Sequence, residues 1–434
     1  LYSSGARITD VTTEGFQAVG LSLVGCYDTK VTRHTGIDCN YFTTGYGAQT
    51  YGCTNTVFSN CYYRGCRRGI DISGGEVISL HNLIENCAND GGGYSSNGDQ
   101  WGLTDSGSAI GASPNYGFGS HGPSDHLTYR GNRMNTYFGI NTRGGNEVIE
   151  NNEFFDHVTD CVTLIYGANR IIRNNTSLPG LTDKDTTRYN GGANINNYIP
   201  ENLVSIADTF DGGDFVEITG NSGNLNSSIV EFKSGAVVPT TGFVIKNNNI
   251  KFLLPTSAND NYLLNNTNTS SDPARNTTPT VPLCLSGNNF TRTGTGDLIL
   301  VQNFTPEPIT GSYKGNYTPV LTPVSNLNSS TVFGIPWTYI VSGDFVQVFG
   351  SFQLNHQTST SDSRFTVSLP VNGTFSSSSQ AGGTVSYNSI GSGSDSFGTI
   401  VADTTNNEFL VTSQAINPGV VLTYKFQGFY QASY

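Results

Sequence analysis

The sequence predicts an all-β chain, a parallel β-helix followed by a small antiparallel β-sandwich or jelly-roll domain. Three observations predict it: a turn-rich, helix-poor composition, a short motif repeated at coil-like spacing, and a change of pattern near residue 310. Among 434 residues there are 52 Gly, and only 12% are charged. No long window spaces apolar residues by three and four, so the turns separate strands. This length allows two or three domains and an ample core. A net charge of −12 argues against nucleic acid, whose phosphates require clustered Lys and Arg. No run of about 18 apolar residues occurs, which predicts no membrane insertion. The chain opens at Leu1 with neither Met nor a signal-like segment, so its natural start is expected to be missing.

The repeat is an aliphatic pair or alternation, a polar residue, then Asn or Gly, then Asn. It reads VIENNEF (148–154), IIRNNTS (171–177), VIKNNNI (244–250), EITGNSG (217–223), CLSGNNF (284–290) and TYRGNRM (128–134), with a weaker copy VFSNCYY (57–63). The first two start 23 residues apart, close to one β-helix turn. A single coil cannot bury its own apolar side, and stacked coils make a continuous core. Asn tolerates the left-handed bend, and its amide can bond to the Asn one coil above. Eight cysteines follow no CxxC pattern, and most read as small buried hydrophobes in strands and turns, with zinc not expected.

A second strand precedes each Asn bend. The set is GLSLVG (20–25), GIDISGG (69–75), GFGSHGP (117–123), GINTRGG (139–145), CVTLIYG (161–167), LVSIAD (203–208) and IVEFKSG (229–235). With Ile70 and Ile72 inward, Asp71 and Ser73 face outward. By the same register Gly119, His121, Asn141 and Arg143 face outward, as do Glu231 and Lys233 further along. Neighbouring strands lie about 4.8 Å apart, which places Asp71, His121 and Arg143 on three successive rows within roughly 10 Å. Two excursions interrupt the coils. Residues 91–116 carry Asp99, Trp101 and Asp105, and residues 179–200 carry Asp183, Asp185, Arg188, Tyr189 and Tyr198. Long loops on a regular scaffold commonly carry function. Beyond about Thr310 a proline-rich linker leads into alternating strands such as DFVQVFGSFQL and VVLTYKFQGFY. The expected domains are therefore 1–310, the β-helix, and 311–434, the antiparallel module.

With these features in order, the chain resembles the bacteriophage tailspikes, in which a right-handed parallel β-helix precedes a small C-terminal β domain. The tail-protein module is carried by Tyr317–Pro319, by Trp337 and Tyr339, and by the Gly343–Val348 strand. The resemblance implies a homotrimer on the virion tail, made in the host cytoplasm and joined to other tail proteins through a missing N-terminal part. It also implies binding and cleavage of a bacterial surface polysaccharide, capsule or O-antigen. A looser likeness is to polygalacturonase-type β-helices, echoed by GSHG (119–122) and NTR (141–143). It departs from that family in lacking an Asp–Asp pair on the intervening strand.

Sugar hydrolysis uses two carboxyl groups, about 5–5.5 Å apart in retaining enzymes and about 6.5–9.5 Å apart in inverting ones. Asp71 is the first candidate, with Asp99, Asp105 or Asp125 as partner. His121 is a candidate acid/base, and Arg143 a candidate carboxylate clamp. If the substrate is a uronic-acid polymer, the trio suits β-elimination instead. Asn141, Trp101, Tyr116 and Tyr137 are candidate substrate contacts, the aromatics by stacking on sugar rings. Each also has a plainer reading, a solvated sheet face for the polar groups and end packing for the aromatics. Glu231 and Lys233 read as a surface salt bridge or an outlying sugar subsite. No metal or cofactor is assigned, since NDGGGYSSNGD (89–99) lacks the acidic spacing of a calcium loop. A hydrolase leads, with a lyase, a non-catalytic adhesin and a structural shaft as alternatives.

Overall fold

A computed structural model of the chain describes residues 3–39, 45–90, 116–136, 138–155, 160–165, 167, 169–178, 200, 202–207, 215–233, 242–253, 261–266, 280–281, 283–293, 298–302, 305–306, 310–332, 337–358, 361–371, 373–387, 396–415 and 418–432. Asp99, Trp101, Asp105, Tyr137 and the excursion side chains Asp183, Asp185, Arg188, Tyr189 and Tyr198 lie outside the described residues. The chain forms two compact units. One comprises residues 1–253, 262–281 and 302–304, and the other 254–261, 282–301 and 305–434.

The first unit is the predicted β-helix. The sheet built of its longer strands is parallel and runs through β1 (Val19–Val24), β2 (Tyr46–Tyr51), β3 (Arg68–Ser73), β4 (Tyr116–His121), β5 (Phe138–Thr142), β6 (Asp160–Leu164), β7 (Asn202–Ile206), β8 (Ser228–Phe232) and β9 (Asn261–Asn266). Two further parallel ladders of short strands complete each coil. One includes Leu83–Glu85, Thr128–Arg130 and Glu147–Glu150, and the other Ala88–Asp90, Arg133–Asn135 and Glu153–Phe155. Their registers stack like on like. Ile70, Phe118, Ile140, Val162, Val204 and Val230 form one buried column. Phe58, Ile84, Tyr129, Ile149, Ile172, Ile218 and Ile245 form another.

The paired Asn positions divide two tasks. Asn151, Asn174 and Asn247 adopt positive φ, and Gly131 and Gly220 hold the same place on other coils. There the chain turns left-handed, which Asn and Gly do at least cost. The following residue points inward. Asn132, Asn152, Asn175, Asn221 and Asn248 form a ladder in which each Oδ1 accepts from the backbone N–H of its predecessor on the stack and, between Asn neighbours, from the amide, at 2.9–3.0 Å. Each Nδ2 also donates to a buried carbonyl, for example Asn175 to Ile149 at 2.9 Å. On earlier coils cysteine takes the ladder position, and the Cys87 N–H donates to Asn132. All eight cysteines are unpaired, and all but Cys284 are buried.

The second unit contains an antiparallel sheet. Trp337–Ser342, Phe345–His356, Val421–Gln431, Ala381–Tyr387, Ser396–Asp403, Glu408–Ser413 and Ser363–Val367 pair in that order. The 421–431 strand alternates exposed and buried at every residue. Its inward side chains, Tyr424, Phe426 and Tyr430, pack with Trp337, Phe352 and Phe409. The Tyr317 ring meets both Trp337 and Tyr339 edge-on, so these three aromatics of the tail-protein module share one cluster.

Candidate functional site

The outward side chains of the long sheet fall into columns. The central one reads Gln49, Asp71, Gly119, Asn141, Thr163, Ser205, Glu231 and Asn265, one residue per coil. Beside it stand Tyr51, Ser73 and His121 in line, and Arg143 follows just past the end of β5. The outward facing of Asp71, His121, Asn141 and Arg143 is therefore as the alternation predicts. His121, however, opposes Ser73 rather than Asp71, two residues further along the strand.

Asp71 is not solvated. It is 0% exposed and ion-paired with Arg68, which is itself buried. Its Oδ1 also bonds His121 Nδ1 at 2.7 Å. Its Oδ2 accepts from Ser73 Oγ at 2.5 Å and from Gln49 Nε2 at 2.9 Å. Burial opposes ionisation, but the Arg68 charge and the His121 and Ser73 bonds win and hold the carboxyl below the ordinary range. Such a group is an anchor, not a proton donor. His121 stays partly exposed, and burial, together with the charges of Arg68 and Arg143, lowers its pKa against the pull of Asp71. Its Nδ1 lies against Asp71 at 2.7 Å and against the Arg68 guanidinium at 3.2 Å.

Arg68 lies between two rings, 4.9 Å from the Tyr116 centroid and 5.9 Å from that of Tyr46. The same Tyr116 ring stacks on Phe138 at 5.0 Å and 15°. Both Tyr116 faces are thus occupied, and the expected sugar platform is packing around a buried cation. Asp125 belongs elsewhere. It lies on the Ser124–Asp125 strand of a separate two-stranded sheet, where it pairs with His126 at 3.2 Å and accepts from Asn146 at 3.0 Å. It is not among the partners of Asp71.

A carboxyl pair that the sequence reading missed stands further along the same face. Asp160, Asn202 and Ser228 are in register at the starts of β6, β7 and β8. The single Asn202 Nδ2 donates to Asp160 Oδ1 at 2.9 Å and to Glu231 Oε2 at 2.7 Å. The two carboxyl oxygens thus lie no further apart than the sum of those contacts. Asn202 Oδ1 is held in turn by the Ser228 backbone N–H and hydroxyl, which fixes the amide orientation. Lys233 pairs with Glu231. Burial raises the Asp160 pKa, and the Glu231 charge raises it further, against Lys233 and the Asn202 bond. Glu231 is the more open member, at 13% exposure. The signal was present in the sequence. Each of these strands, taken to begin at Cys161, Leu203 and Ile229, begins one residue earlier on a polar side chain.

Between Asp71 and Glu231 the central column is small and polar. Gly119 leaves room that a methyl could not share, because it would press on the Asn141 carbonyl and reach 3.3 Å from the Arg68 guanidinium. Among the described residues, Asn141 Oδ1, Thr163 Oγ1 and Arg143 Nε are buried with no hydrogen-bond partner. Buried polar atoms without partners are uncommon and call for an explanation. Among the described residues no group of three or more metal-ligating side chains occurs.

No protein-family model matches the chain, and neither does any curated protein. Solved structures similar to it include phage tailspikes and a pectin-degrading enzyme. The Pseudomonas phage phi297 tailspike is 14% identical with a TM-score of 0.47, over 99% of this chain and 63% of that one. This chain thus spans less than two thirds of that tailspike. A tailspike of E. coli bacteriophage HK620 in complex with a pentasaccharide is 11% identical, TM-score 0.43, covering 99% and 75%. An exopolygalacturonase from Thermotoga maritima is 10% identical, TM-score 0.41, covering 77% of each chain.

Proposed function

We propose that the chain is an endo-acting polysaccharide hydrolase of a phage tail, and that Asp160 and Glu231 are its catalytic pair. The observation that carries this reading is the shared Asn202 donor. It brings one oxygen of each carboxyl onto the same amide nitrogen, at 2.9 and 2.7 Å, a closeness compatible with the about 5–5.5 Å of a retaining pair. Their surroundings also differ. Asp160 is buried with its proton favoured, whereas Glu231 is more open and faces Lys233. Pairs of carboxyls held in unlike environments divide into acid and nucleophile.

Asp160 gives its proton to the leaving glycosidic oxygen as Glu231 Oε2 attacks the anomeric carbon. A glycosyl–enzyme ester forms and the downstream sugar departs. Asp160, now ionised, takes a proton from water as that water displaces Glu231, which restores both groups. The assignment to a phage tail acting on a bacterial capsule or O-antigen, as a homotrimer, rests on the order of coils and tail module in the sequence.

Incubation with purified surface polysaccharides, followed by mass spectrometry, tests the reaction class. One added water per cut and retained anomeric configuration are expected. Unsaturated sugar ends would replace hydrolysis with elimination, and intact bound glycan would leave an adhesin. Asp160→Asn and Glu231→Gln should each lower turnover by roughly 10²–10⁴-fold without loss of glycan binding. Unchanged turnover in either variant would remove that residue from the mechanism.

A further inference from the structure

We infer that Arg143 and His121, with Asn141 beside them, form a subsite for a carboxylate-bearing sugar of the same glycan. This inference rests on the reading above, to which it adds the chemical class of the substrate.

The chain carries a net charge of −12, and an acidic polymer would be repelled from most of its surface. At this place on the face the balance is reversed. Asp71 is bound by Arg68, by His121 and by two neutral donors, so its charge is consumed within the fold. Arg143 remains, its Nε buried and without a hydrogen-bond partner among the described residues, and near enough to His121 to affect its ionisation. The Arg143 backbone N–H is tied to Ser120 Oγ at 2.8 Å, which fixes where the side chain departs. A planar carboxylate satisfies a guanidinium edge with two parallel bonds, and no neutral sugar hydroxyl does so.

The neutral groups fit the rest of a sugar. Asn141 is 5% exposed and its Oδ1 has no donor, so it is placed to accept from a hydroxyl. Two coils from His121 in the same column, Tyr51 is 41% exposed and offers a ring to a neighbouring sugar. From the Asn141 row to the Glu231 row is three strand spacings, about 14 Å. Measured along an extended glycan, the acidic sugar would sit two or three units from the bond cut between Asp160 and Glu231.

The test uses the full chain with histidine-labelled rings followed by NMR. The probes are D-glucuronate, with D-glucose as the neutral counterpart. Glucuronate should shift the His121 ring signals saturably and glucose should not, with the response weakened by added salt. Arg143→Gln should weaken glucuronate binding roughly tenfold or more, with Arg143→Lys intermediate. Equal responses to both sugars, no response to either, or an unaltered Arg143→Gln titration would overturn the subsite. A second arm uses any polysaccharide the chain cleaves. Carboxyl reduction of that polymer should raise KM in the parent chain and leave it unchanged in Arg143→Gln. Absence of cleavage on every polymer would sink the hydrolase reading while the glucuronate titration still decides the subsite.

Discussion

Asp71 and Asp160 are both buried aspartates on one sheet face, and their neighbours drive them in opposite directions. Asp71 faces the Arg68 guanidinium and is held ionised, whereas at Asp160 burial outweighs the Lys233 charge and the Asn202 bond and raises the pKa. Each makes its own prediction. Removing the Asp71 charge with Asp71→Asn strands a buried arginine and should cost about 3–5 kcal/mol of stability, measured by denaturant unfolding. Because the folded pKa of Asp71 is depressed, its contribution is present above the unfolded value of about 3.9 and is lost as pH falls toward the folded one. Acid unfolding of the parent chain should therefore steepen below about pH 4, and less so in Asp71→Asn. In the proposed hydrolysis Asp160 is the acid, so loss of its proton would set the alkaline limb of the activity profile. Lys233 lowers the Asp160 pKa, so Lys233→Met should move that limb to higher pH. A limb that stays in place would separate Lys233 from the acid.

At the scale of elements, the Asn ladder ties coil to coil. Asn175 accepts from Asn152 through its Oδ1 and donates through its Nδ2 to the Ile149 carbonyl and to Asn221. Asn175→Ala leaves these buried groups without partners, at about 1–3 kcal/mol for each group not reached by water. The loss should appear as a lower thermal midpoint and as faster amide exchange in the two flanking coils. Protection unchanged on both sides would mean that the apolar columns alone hold the stack. The neighbouring bend residue Asn174 has a different job, a left-handed backbone. Asn174→Gly should be nearly neutral, which separates conformation from hydrogen bonding within one dipeptide.

For the whole molecule, seven of eight thiols are buried and none is paired. A thiol reagent should therefore label at most one group rapidly in the folded chain and eight after unfolding. Prompt native labelling of several would contradict the packed coils. The buried thiols sit in the stack as ladder members, the Cys26 N–H meeting Cys53 Sγ at 3.3 Å and the Cys61 N–H meeting Cys87 Sγ at 3.4 Å. Cys61 and Cys87 contribute packing and weak acceptance where later coils use Asn, and the Cys26–Cys53 stack continues instead into Ser79.

Much of the fold was legible because a β-helix repeats. The Asn-bend motif, the apolar alternation and the Gly at tight turns are local, so residues 128–134, 148–154 and 171–177 display them in plain order. The outward facing of Asp71, Asn141 and Glu231 followed from the same alternation. The electrostatic state of those side chains was not legible, because it depends on contacts between coils. Arg68 lies three residues from Asp71, outside the repeat as read, and only stacking between Tyr46 and Tyr116 shows it to be a buried counter-ion. Tyr116 reads as a sugar platform until Arg68 and Phe138 are seen to take both its faces. Asp160 and Glu231 are 71 positions apart, with Asn202 between them in sequence. The sequence by itself determined which side chains within a strand leave the core, since a strand has only two faces, but not those at the strand starts, where Asp160 and Asn202 break the alternation. Tertiary structure decided which of them meet, since that depends on register between coils separated by excursions of different length.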